Sequence, residues 1–268
     1  MLSRLLLPAA LGLAAIAPAG VDAQARRTAP PVRHPMSPPQ SMVVESPAQF
    51  ERGLMRSEAG PLFAAIRRNF PAEATSLFAD LYSAYLRTVR APADAQRQAG
   101  ARVMQAFYIS LLPHLRLAPD ADLLRVIAAR RAVFQSLQRT NADTCGRVTA
   151  SGNMSLAMPA EFKALNGLAQ IAMIDAAGAG RRTPVAPRTP PSPEDRRLVS
   201  ATFPQLDPTG DLIALAMGEE EVAAAAPERQ CRYAIGLLGL ALALPPAQGA
   251  KIAIMILEKS ITGGPSGL

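Results

Sequence analysis

The chain has 268 residues, 49% of them hydrophobic, and 28 Lys and Arg against 21 Asp and Glu give a formal net charge of +7. So much apolar side chain excludes disorder over most of the length, and the positive excess favours anionic partners through weak, salt-sensitive attraction. Of the basic residues only Lys163, Lys251 and Lys259 are Lys, and with 4 Tyr, 8 Phe and no Trp the chain has few rings on which to stack nucleic-acid bases.

The N-terminus reads as a secretory signal over residues 1–25. Arg4 supplies the positive region, residues 5–17 are apolar, and small residues follow that allow cleavage after Ala23 or Ala25. The apolar run is shorter than the ~20 residues that span a bilayer. The expectation is therefore a periplasmic or secreted protein with no stable membrane span after cleavage. Residues 26–45 hold Pro30, Pro31, Pro35, Pro38 and Pro39 with Arg26, Arg27 and Arg33, the composition of a disordered arm.

Ordered structure is expected from Ser46, where Ser46-Pro47-Ala48-Gln49 reads as an N-cap, a Pro at the first helical position and a capping-box Gln. Phe50 and Leu54 give a first helix its apolar face, and Gly60-Pro61 breaks it before a second carrying Leu62, Phe63, Ile66 and Phe70. Leu77, Phe78, Leu81, Tyr82, Tyr85 and Val89 fall within one arc of a third helix, with Asp80, Ser83 and Arg87 opposite. A fourth, with Val103, Met104, Phe107, Tyr108 and Leu111, is expected to stop at Pro113. A fifth opens at Pro119 with Asp120 and Asp122 in its first turn and runs to about Arg139.

Residues 141–153 are polar, hold Cys145 and read as a loop, after which a sixth helix covers 158 or 159 to 177. Gly178-Ala179-Gly180, followed by Pro184, Pro187, Pro190, Pro191 and Pro193, makes 178–193 a flexible surface linker. Ser192-Pro193-Glu194-Asp195 restarts a helix that should end by Phe203-Pro204, and 211–226 is weakly helical. The last pair, 227–244 and 246–260, is apolar nearly all round, which demands burial. Leu238, Leu240, Leu242 and Leu244 alternate with Gly and Ala as a strand would, but Leu and Ala favour helix.

The sum is an all-α fold, an irregular bundle of about eight to ten helices. The last two helices carry too much apolar surface to stand alone, so 46–262 is read as a single helical domain, with 263–268 a flexible tail. The two cysteines, Cys145 and Cys231, should pair in an oxidising compartment. Closing a loop of about 87 residues is worth about 4 to 5 kcal/mol by loop-closure entropy.

Signatures of chemistry are few. His34 lies in the arm and His114 beside a helix-ending Pro, so no His pair stands at metal-ligand spacing, and phosphate-binding Gly loops and nucleophile elbows are absent. No metal and no cofactor are expected. Basic clusters at Arg26, Arg27 and Arg33, at Arg125, Arg130 and Arg131, and at Arg181, Arg182, Arg188, Arg196 and Arg197 read first as solvated surface. Two charges break the helical pattern. Arg130 falls in the middle of the arc set by Leu123, Ile127, Phe134 and Leu137, and Glu58, four after Leu54, leans toward the apolar side if the first helix reaches that far. A buried guanidinium must find a carboxylate, helix-end carbonyls or an anion, and Glu58 is the first candidate partner. The reading is an exported helical protein, more a binder than an enzyme, whose partner is a protein or an anionic envelope component and not nucleic acid. The alternative is an envelope hydrolase using Glu58 as a cleft carboxylate.

Overall fold

The computed structural model describes residues 46–151, 160–207 and 224–262. These residues form ten helices and no strand: α1 Pro47–Arg56, α2 Gly60–Asn69, α3 Pro71–Thr88, α4 Ala93–Arg116, α5 Asp120–Thr140, α6 Ala142–Ser151, α7 Ala160–Arg182, α8 Pro193–Leu206, α9 Pro227–Ala243 and α10 Pro246–Thr262. The protein is an all-α bundle. The arm, the C-terminal tail and most of the weakly helical stretch at 211–226 lie outside the described residues.

Local chemistry sets the helix starts. At α1 the Gln49 N–H donates to Ser46 Oγ at 3.3 Å while the Ser46 N–H donates to Gln49 Oε1 at 2.9 Å, a complete capping box. Ser192 and Asp195 build a second at α8. Two helices outrun the prolines expected to end them, because Pro113 lies inside α4 and Pro204 inside α8. Pro113 and Ile109 both face solvent, so the carbonyl left without its helical donor is on the wet side while buried Leu111, Leu112 and Leu115 anchor the last turn.

Two other expectations are corrected. The stretch around Cys145 is helical, because Asn141 Oδ1 accepts from the Thr144 N–H at 2.9 Å and so caps α6. The sixth expected helix, here α7, continues through 178–182, and the non-helical connection to α8 is 183–192. Gly178 and Gly180 are contact positions: a Cβ at Gly178 would strike the Asn69 side chain of α2, and one at Gly180 the His114 carbonyl and Ala118. The connection itself is pinned. The Val185 N–H donates to the Leu117 carbonyl at 2.9 Å, and Arg188, its side chain only 10% exposed, donates to the carbonyls of Arg116 at 2.8 Å and Ala118 at 2.6 Å and pairs with Asp120.

One apolar cluster takes in Phe63 and Ile66 of α2, Leu77 of α3, Leu111 and Leu115 of α4, Leu123 and Ile127 of α5, Ile174 of α7, Leu238 of α9 and Leu257 of α10. The Leu238–Leu244 alternation is therefore read out as helix, with Leu238 turned to this core and Leu240 and Leu244 packed with Phe203 of α8 and Tyr233. A third cluster, with Val133, Leu137 and Phe162, surrounds the two cysteines. At the centre α5 packs against α6, α7, α9 and α10. Among the described residues no helix is long and apolar enough to cross a membrane.

Candidate functional site

The face of α5 turned inward is set by Leu123, Val126, Ile127, Val133 and Leu137, all buried, with Phe134 partly so. Arg130 stands among them, half-buried. Its Nη1 donates to Ser260 Oγ in the last turn of α10 at 2.6 Å, and its Nη2 lies 4.0 Å from Met173 Sδ of α7. Ser260 Oγ in turn donates to the Leu257 carbonyl at 2.9 Å, and Gln105 Nε2 of α4 donates to the Ile261 carbonyl at 3.4 Å. The guanidinium thus faces the carboxyl end of α10, where the helix dipole presents partial negative charge.

Beside it stands the phenol of Tyr108 from α4, 1% exposed, whose hydroxyl donates to Gln170 Oε1 of α7 at 3.1 Å. Burial lowers the Arg130 pKa from its ordinary value to about 10, an effect the neighbouring Tyr108 opposes. The same burial pushes the Tyr108 phenol well above its ordinary value, and Arg130 partly counters that. Among the described residues no carboxylate lies within ion-pair distance of Arg130. Its neighbours are a hydroxyl, a thioether and a phenol, all neutral, so its charge is offset only by a helix end.

Glu58 is not its partner. α1 ends at Arg56, the Ser57 hydroxyl closes it by donating to the Leu54 carbonyl at 2.6 Å, and Glu58 lies beyond in solvent. The periodicity that turned it inward applied only if the helix continued, and the Ser57 cap prevents that. His114, in the last turn of α4, has its ring 5.7 Å from that of Phe70, over which Arg181 also sits at 5.6 Å.

The basic clusters separate by role. Arg26, Arg27 and Arg33 lie outside the described residues. Arg125 is exposed and paired with Asp122, while Arg131 lies along Gly239 of α9 with its Nε buried. In the third cluster only Arg188 is drawn in, clasping the α4–α5 junction; Arg196 and Arg197 are exposed, and Arg181 and Arg182 stay exposed while pairing with Glu73 and donating to Asn69 Oδ1 at 2.6 Å. Proximity in sequence hid these partners, which are distant along the chain. Sequence reasoning also missed the Lys251–Asp195 pair at 2.8 Å, which ties α10 to the first turn of α8. The Lys251 hydrogen bond and those of Ser192 hold the Asp195 carboxyl at about 2, below its ordinary 3.8, against the opposing effect of burial.

Cys145 and Cys231 form the disulfide, joining α6 to α9 with Cα atoms 5.3 Å apart and both side chains wholly buried. Among the described residues no group of His, Cys, Asp and Glu is arranged to hold a metal. What the Arg130 cluster offers chemically is positive charge and hydrogen-bond donors at the edge of the core. Comparison of the chain with family models, with curated proteins and with solved structures returns no match.

Proposed function

We propose that the chain is an exported helical protein that binds an anionic component of the cell envelope, with Arg130 as its anion contact. The observation that carries this reading is a partly buried guanidinium at the core edge with only neutral side-chain partners among the described residues. Removing a cation from water costs several kcal/mol unless an opposite charge returns it, and one hydroxyl returns little. Arg130 is partly exposed as a residue, and a planar guanidinium suits carboxylate or phosphate. The export half of the proposal rests on the N-terminal signal pattern alone. Calorimetric titration of the chain with inorganic phosphate and with acetate tests the contact. Binding that vanishes in Arg130→Leu supports it, and binding that the replacement leaves intact contradicts it.

A further inference from the structure

The connection between α7 and α8 has a regular order of its own. Pro184, Pro187 and Pro190 recur at every third residue, with Pro191 directly after. Proline fixes its own φ at about −65° and holds the residue before it extended, which leaves only Val185 and Arg188 of 183–192 unconstrained by sequence. Those two are the residues tied to the body of the protein, Val185 through its N–H to the Leu117 carbonyl and Arg188 through its clasp on Arg116, Ala118 and Asp120. Ser192 at the far end is extended, with φ −71° and ψ 169°. Burial follows the same step. Val185, Arg188 and Pro191 are half-buried, whereas Pro184, Ala186, Pro187, Thr189 and Pro190 are exposed. A repeat of about three residues is that of the polyproline II helix, so the connection is a polyproline strut with one edge turned to the protein and two edges in solvent.

We infer that the strut is a docking ligand for a protein whose groove is lined with aromatic side chains. Such grooves take the rings of a polyproline II segment at the spacing Pro-x-x-Pro, which Pro184 with Pro187 and Pro187 with Pro190 both supply. The strut holds the bound conformation before any partner arrives, so docking orders little backbone. Its outward residues carry no charge, and its one cation, Arg188, has a side chain only 10% exposed and already bonded. An anionic lipid or polymer therefore finds no charged contact on these two edges, whereas the apolar proline rings suit aromatic faces. The inference uses no residue of the Arg130 cluster.

The test is fluorescence titration, with the full chain, of purified SH3 and WW domains that carry a Trp in the groove. The chain itself has no Trp, so a change in indole emission reports the groove alone. At least one domain is expected to show saturable binding. Joint Pro187→Ala and Pro190→Ala replacement should weaken it at least about tenfold, as the loss of two anchoring side chains does. Ala186→Asp with Thr189→Asp keeps every proline and every inward contact and should weaken it as well, which holds the inference to account should the proline variant disturb folding. Pro204→Ala, at an exposed proline of α8, should leave binding unchanged. No binding by any domain, binding that the joint proline replacement leaves intact, or equal weakening by Pro204→Ala overturns the inference and leaves the strut a spacer. A dimer in light scattering that the joint proline replacement dissociates would assign the strut to a second copy instead, and also overturns it.

Discussion

Two arginines are drawn into this molecule and are accommodated in opposite ways. Arg188 meets two helix-end carbonyls and Asp120, whereas Arg130 meets Ser260, Met173 and Tyr108. Arg188→Met removes charge-assisted hydrogen bonds and strands their acceptors, and should cost about 1.5 to 3 kcal/mol in chemical denaturation. Arg130→Met strands no opposite charge among the described residues and should leave stability within about 1 kcal/mol of the parent. That Arg130 would sit among Leu123, Ile127 and Leu137 was legible, because residue type and helical period conflict there. What it would touch was not, since Ser260 and Tyr108 come from helices far away in sequence. Asp195 supplies a pH prediction. Its folded pKa of about 2 is below the ordinary 3.8, so the unfolded chain takes up its proton first as the solution is acidified. The pair with Lys251 therefore contributes fully above about pH 5 and is lost progressively as pH falls through about 2. The stability gap between the parent and Asp195→Asn should be constant near neutrality and close over that window in urea titrations. A gap that widens on acidification would contradict the assignment.

At the level of elements, the helix starts with explicit side-chain signals were the legible part: Ser46 and Gln49, Ser192 and Asp195, and Pro119 followed by Asp120. Helix ends were less so, because Pro113 and Pro204 are tolerated wherever their missing hydrogen bond faces water, and exposure is a tertiary fact. α6 was missed although its cap, Asn141, was in plain view, because a polar stretch around a cysteine resembles a loop. Gly178-Ala179-Gly180 misled in the same way, since small residues serve flexible linkers and close helix contacts alike. Here they let α7 approach α2 and the end of α4. Gly180→Ala should therefore destabilise by about 1 to 3 kcal/mol through overpacking against the His114 carbonyl. Gly167→Ala, in the same helix with open space at its Cβ, should stabilise by about 0.5 to 1 kcal/mol. Thermal unfolding of the two variants distinguishes a packing glycine from a permissive one.

Across the whole molecule, the first and last helices share a core, and one disulfide closes the middle. The need for that shared core was legible in the apolar excess of α9 and α10, and the pairing in an even cysteine count. The order of packing, with α5 at the centre, was not, because periodicity says which face is buried but not against what. Because Cys145 and Cys231 are wholly buried, reductant should reach them only through opening of the fold. Once reduced, the chain should lose about 4 to 5 kcal/mol less any native strain relieved. A chain equally stable in urea with and without reductant would refute this.

Whether an anion completes Arg130, as proposed, is decided by the thermal midpoint with and without inorganic phosphate, in the parent chain and in Arg130→Leu. A ligand that binds only the folded state at a hundredfold its dissociation constant stabilises by about 2.7 kcal/mol. The expected result is a midpoint that rises with phosphate in the parent, beyond what chloride at equal ionic strength produces, and a variant of near-parent stability in which the rise is absent. A rise of the same size in both proteins would contradict it.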